Sequence, residues 1–193
     1  MPALATLIAI ATSAQVSPAP SPLFASFRAA CSDVARFDGV DGAARGAGWR
    51  EVGEAQADPR IVAILAKARA AAKDKAPDAM LSGKLYRQRI DGRQAWLTTS
   101  RVTFVQDGKP VWANGCRAYD LDASTAPTRE AATAWVGTAP TGSQSSGSAI
   151  KWQWSPWQAD TALEISYVPR DNPLGVQFGI QGLILVSQAI GGF

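Results

Sequence analysis

The sequence predicts an α+β domain, with N-terminal helices packed on a mostly antiparallel sheet of about six strands and one disulfide. Three observations carry this reading. Apolar residues recur at helical spacing up to about residue 74, the periodicity turns to alternation from Ser82 onward, and the two cysteines, Cys31 and Cys116, fall one in each part. With 193 residues, 47% of them apolar, the chain supports one well-covered core and not two comfortable domains. Residues 23–193 are therefore read as a single domain.

Residues 1–14 carry no charged side chain and hold an apolar run from Ala3 to Ala11, broken only by Thr6, before the small residues Thr12, Ser13 and Ala14. This is the pattern of a signal peptide, although the n-region has no Lys or Arg; a buried strand or helix is the alternative. Export makes the protein periplasmic or secreted. Residues 15–22, rich in Pro, Ser and Ala, read as a flexible mature N-terminus. In an oxidising compartment two cysteines are expected to pair, so Cys31 and Cys116 are assigned to a disulfide.

Phe24, Phe27, Cys31 and Val34 share one stripe of an amphipathic helix starting near Pro22. A second short helix over residues 41–47 leads to a turn at Gly48 and then to Trp49-Arg50-Glu51-Val52. Asp58-Pro59 is an N-cap followed by a first helical position, and Ile61, Ile64, Leu65, Ala68 and Ala72 line up behind it. Asp91-Gly92 and Asp107-Gly108 suit two-residue hairpin turns between strands 85–90 and 93–99, and between 101–106 and 109–113. Pro110, lacking an N–H, calls for a sheet edge or a bulge. Asn114-Gly115 reads as a further turn into a strand at 116–121.

Residues 127–136 form a short helix anchored by Trp135 and stopped by Gly137, and the Gly/Ser/Thr-rich segment 138–148 reads as a loop. Alternation then marks strands at 150–154, 163–167 and 176–180, and Gly182 shifts the parity before the run 183–186, which suggests a bulge or a strand entering a fully buried position.

The chemistry is bounded mainly by exclusion. The chain has no histidine, which removes the commonest general base, the usual metal-binding imidazole and any Ser-His-Asp triad. Ser148-Ala149-Ile150-Lys151 fits an S-x-x-K pattern, but it leads into a strand, where the two side chains would lie on opposite faces. No phosphate-cradling glycine motif and no calcium-loop spacing occurs, and no metal or other cofactor is indicated. A net charge of +3, with its Lys and Arg scattered, gives no nucleic-acid footprint. After residue 14 no apolar stretch is long enough to span a bilayer as a helix.

Two features invite a functional reading. Trp152, Trp154 and Trp157 form a series within the seven tryptophans of the chain: the first two share a strand face and Trp157 extends it, as in a platform for sugar rings. The same alternation is also how a strand presents tryptophan to an ordinary core, and that reading stands ahead of the platform. Asp120 and Asp122 flank Leu121 and would project together, a pair that a carboxylate-dependent hydrolase could use; acids solvating a strand end are the simpler account. Catalytic residues are not assigned. The leading expectation is an exported non-catalytic domain whose sheet face, or whose segment 138–148, recognises an unidentified envelope component, protein or small ligand. A carbohydrate-binding module and a hydrolase are the alternatives.

Overall fold

The computed structural model describes residues 21–158 and 160–192. The expected signal peptide and residues 15–20 lie outside them. Helix α1 (Pro22–Cys31) starts where its sequence requires: Ser21 accepts a hydrogen bond from the Leu23 N–H at 3.3 Å, and Pro22, with no N–H to leave unpaired, occupies the first turn. Helix α2 (Val40–Gly46) follows, and Gly48, at φ +89°, turns the chain so that Trp49 enters the core. After strand β1 (Arg50–Val52), helix α3 (Pro59–Lys75) is capped by Asp58, whose carboxylate accepts from the Arg60 N–H at 2.8 Å.

Strands β2 (Met80–Ile90), β3 (Arg93–Gln106) and β4 (Lys109–Asp120) form a meander. Its two turns are the expected ones: Asp91 and Gly92, and then Asp107 and Gly108, all have positive φ. Helix α4 (Arg129–Val136) is capped by Thr128 and stopped by Gly137 at φ +96°. Strands β5 (Gly142–Ser146), β6 (Ala149–Gln158) and β7 (Thr161–Val168), helix α5 (Pro173–Phe178) and strand β8 (Gly182–Gly191) complete the chain. The eight strands make one antiparallel sheet in the order β1-β2-β3-β4-β8-β7-β6-β5, so two four-stranded meanders meet along β4 and β8.

The α+β class, the antiparallel sheet and the disulfide agree with the sequence reading; the strand count and the placing of the helices do not. Among the described residues there are eight strands, not about six, and two of the five helices come after β4. No turn occurs at Ser100, so β3 runs unbroken through both strands expected there. Asn114-Gly115 lies inside β4, because the buried Asn114 amide donates to the carbonyls of Val34 and Ala35 at 3.1 and 3.3 Å and serves as a cross-link, not a turn. Part of the expected loop 138–148 pairs with β6 as β5. Segment 176–180 begins in α5 and is not a strand. Gly182 opens β8 with no bulge: a Cβ built there would lie 2.1 Å from the Asp120 carbonyl oxygen. Pro110 sits beyond the part of β4 that β8 covers, at a local edge as expected.

The sheet has two unlike faces. On the helical face, α1, α2 and α4 bury Phe24, Phe27, Trp49 and Trp135 against Tyr86, Leu97, Ile165 and Leu185. The Cys31–Cys116 disulfide, with an S–S distance of 2.03 Å and a Cα–Cα distance of 5.5 Å, fastens α1 to β4 across 85 residues, and both cysteines are fully buried. On the other face, among the described residues, α3 is the helix that supplies buried side chains. It contributes Ile61 and Ile64 to a smaller cluster with Leu85, Trp96, Tyr119, Leu121 and Ile184.

Candidate ligand-binding groove

The expected helical stripe of α3 is only half used. Ile61 and Ile64 are buried, Leu65 and Ala72 are partly covered, and Ala68 is exposed. The reason lies in the residue sizes that meet there. Across from the C-terminal half of α3 the sheet presents the register row Gly83–Ser100–Gly115, whose members offer a methylene and a hydroxyl at most, and the helix answers with alanines. Neither surface reaches the other. The result is a groove of about 1280 Å³ between α3 and the open face. It exceeds the ~300–1,000 Å³ usual for a small-molecule cleft, and an extended ligand would fit it.

Leu85, Ile184 and Val186 make an apolar floor on one side, and Leu81 and Val102 on the other. Gln144, Ser145 and Ser146 of β5 close the far end together with residues near α5, and Asn172 ties the two by donating to the Ser146 carbonyl at 3.2 Å. The two surfaces singled out from sequence, the sheet face and the segment 138–148, therefore meet in one groove.

The electrostatics of the lining are lopsided. Its three acids are each matched by a cation. Glu51 lies 2.8 Å from Arg45 and 3.3 Å from Lys84, and its hydrogen bond from Arg45 holds it below the ordinary carboxylate range. Arg69 hydrogen-bonds Glu54 and lowers it in the same way. Lys151 is 2.7 Å from Glu164, which also accepts from Ser166 Oγ at 2.9 Å. Arg117 and Lys67 remain: among the described residues neither takes part in an ion pair. Arg117 lies at the centre of the floor, in the row Leu85–Thr98–Arg117–Val186–Glu164, two strands and therefore ~9–10 Å from Glu164. Its Nη1 donates to Ser100 Oγ at 3.0 Å, and its guanidinium rests over Gly115, where a Cβ would come within 2.5 Å of the same nitrogen. Burial pushes the neighbouring Tyr119 hydroxyl up, so it stays protonated on the groove floor.

The residues expected from sequence to bind ligand sit elsewhere. Trp152 and Trp154 do share a strand face, but it is the helical face; they are 7% and 1% exposed, and the Trp154 indole N–H donates to the Thr138 carbonyl at 2.9 Å. Trp157 is half-buried at the edge of the same core. Its ring stacks on Phe27 at 6.1 Å and lies 5.8 Å from Trp135, whose own face carries the Arg28 guanidinium at 4.4 Å. The three indoles thus form no common exposed plane, because two of them fill the volume under α1 and α4.

Asp120 and Asp122 are also divided. The strand ends at Asp120, which is buried against Arg93 at 2.9 Å. Asp122 turns out to Arg60 at 3.0 Å and Arg170 at 3.5 Å, and its backbone N–H donates to Asp120 Oδ1. Each carboxylate is held by a guanidinium of another segment, so the two do not act as a pair. Ser148 and Lys151 of the S-x-x-K match are separated in role, since Lys151 is committed to Glu164.

Sequence reasoning passed over Arg117 and Lys67. The signal for Arg117 was present: a cation at a strand position flanked on the same face by Gly115 and Tyr119, with no acid at alternating spacing to meet it. Lys67 falls beside the apolar stripe of α3, where helical spacing marks no more than a solvated position. No protein family matches the chain, and no curated protein or solved structure is significantly similar to it.

Proposed function

We infer that this protein is an exported, non-catalytic binding domain, periplasmic or secreted, that holds a small envelope ligand in the groove between α3 and the open sheet face. The observation that carries this reading is the groove itself: an apolar floor that α3 leaves uncovered although the opposite face of the sheet is packed under helices. Monomeric proteins rarely leave contiguous apolar surface open without a use for it. The buried Cys31–Cys116 bond supports export, since such bonds persist in oxidising compartments. Pairing of Asp120, Asp122 and Glu164 with cations supports binding over hydrolysis.

Two measurements test the reading. A neutral solvatochromic dye such as Nile red should bind the protein saturably and be excluded by Ala68→Trp, which places an indole in the groove from an exposed helix position. Dye binding that is unchanged in Ala68→Trp removes the groove as the site. N-terminal sequencing of protein recovered from the native host should find a start near Gln15; retention of Met1 would overturn export.

A further inference from the structure

We propose that the groove ligand is a single-chain amphiphile with an anionic head, seated with its carboxylate on Arg117 and its hydrocarbon chain along the apolar floor. This rests on the groove being the binding site. Three features select the class. The walls are mainly apolar, from Leu81 and Val102 at one end to Ile64, Leu85 and Ile184 at the other, which suits a hydrocarbon chain and not a sugar. Every acid of the lining is already neutralised, so the groove carries unmatched positive charge and would repel a cationic ligand. Arg117 is prepositioned. Gly115 leaves room for the guanidinium beside the sheet backbone, Ser100 Oγ accepts from its Nη1 at 3.0 Å, and among the described residues its remaining N–H groups make no other hydrogen bond and could meet a planar anion.

The position of Arg117 also explains why the head belongs at the middle of the groove. A long aliphatic stem crossing a sheet face buries its methylenes and leaves its head at the surface, but a glycine neighbour lets this head stay low, beside the floor. A carboxylate there exchanges water for a bidentate guanidinium contact in a partly desolvated site, where such a contact gains strength. Lys67, on the α3 wall with its Nζ beside Gly179, adds a second positive charge to the lining.

The test compares dodecanoate with dodecanol, below their aggregation limits, by displacement of Nile red from the intact chain and by calorimetry. Dodecanoate should bind more tightly than dodecanol. Arg117→Gln should weaken dodecanoate roughly ten- to a hundredfold, the worth of a charge-assisted hydrogen-bond pair, and leave dodecanol unchanged. Arg117→Lys, which keeps the charge but not the fork, should retain part of the loss. Wild-type melting behaviour in each variant separates lost binding from lost folding. If both compounds bind alike, ignore Arg117→Gln and are excluded by Ala68→Trp, the groove is a binding site but its ligand is not an anion. If neither compound displaces a dye that Ala68→Trp does exclude, the amphiphile class is wrong while the groove stands. Loss of all dye binding specificity removes both.

Discussion

The two faces of this sheet are written in the same alternating code and yet end in different states. On the helical face, three helices bring Phe24, Phe27, Trp49 and Trp135 onto Trp152, Trp154 and Tyr86, and a disulfide locks the contact. On the open face, one helix brings two isoleucines and then alanines over a row of glycine and serine. Backbone pattern decides which residues face each side, whereas side-chain volume decides whether that side closes. The helical face is where the domain holds together; the open face is left free to hold something else.

The sharpest way to break this contrast is to remove the lock. Cys31→Ser with Cys116→Ser should lower stability by up to about 4–5 kcal/mol in the chain-entropy picture, since the bond closes a loop of about 85 residues. Denaturant unfolding measures it. Arg117→Gln on the open face should stay within about 0.5 kcal/mol of wild type in the same assay. Comparable losses from both would mean that the open face is structural after all.

Next in size is Trp135→Ala. Its ring meets Phe24 edge-on at 5.0 Å, lies over Phe27 and Trp157, and supports Arg28, so truncation should cost about 3–5 kcal/mol. A change below about 0.5 kcal/mol would mean that α4 is not anchored by this indole. On the open face the matching change is Ile61→Ala, expected at about 2–4 kcal/mol because the side chain is fully buried but its cluster is smaller. Hydrogen exchange sharpens the comparison further. Amides of α1 and of β3, β4 and β8 should be the slowest, and those of the second half of α3 should exchange by local opening.

Much of the helical face is legible in the sequence. Helical spacing gave Phe24, Phe27 and Cys31, the Asp-Gly pairs fixed both turns of the first meander, and Trp135 was readable as an anchor. Each of these is a local signal whose tertiary consequence is forced. What failed was the discrimination between breaks and continuations. Asn114-Gly115 has the chemistry of a turn, and only the distant carbonyls of Val34 and Ala35 keep it in a strand. Segment 176–180 has strand alternation, but Pro173 starts a helix before it. The groove was illegible for a deeper reason. It is a space between elements, produced by the smallness of Gly83, Ser100, Gly115 and Ala68, and small residues carry no periodic signal. Which of two possible faces Trp152 and Trp154 occupied was equally undetermined, since alternation establishes that they agree and not which side they choose.

The smallest expected effect concerns how the first turn of α3 is held. Asp58 caps that turn and, with Arg60 and Asp122, ties it to the end of β4 at 2.6 and 3.0 Å, while Arg69 and Lys73 of the C-terminal half reach Glu54 and the carbonyls of Pro77 and Ala79. The hydrogen bond from Arg60 draws the Asp58 carboxyl below its ordinary value, with burial opposing it more weakly. A group whose folded pKa is depressed contributes stability that is complete above its unfolded value, near pH ~4, and is lost as pH falls through the folded value. Asp58→Asn keeps a side chain able to cap the helix and removes only the charge. At pH 7 it should therefore cost less than about 1 kcal/mol, as expected of a partly exposed pair. The difference from wild type in the exchange of the first turn of α3 should shrink as the pH is lowered from about 5 to 3. The absence of any difference from wild type at both pH 5 and pH 3 would assign the anchoring of α3 to Ile61 and Ile64 alone, and the groove would then be held open by packing and not by charge.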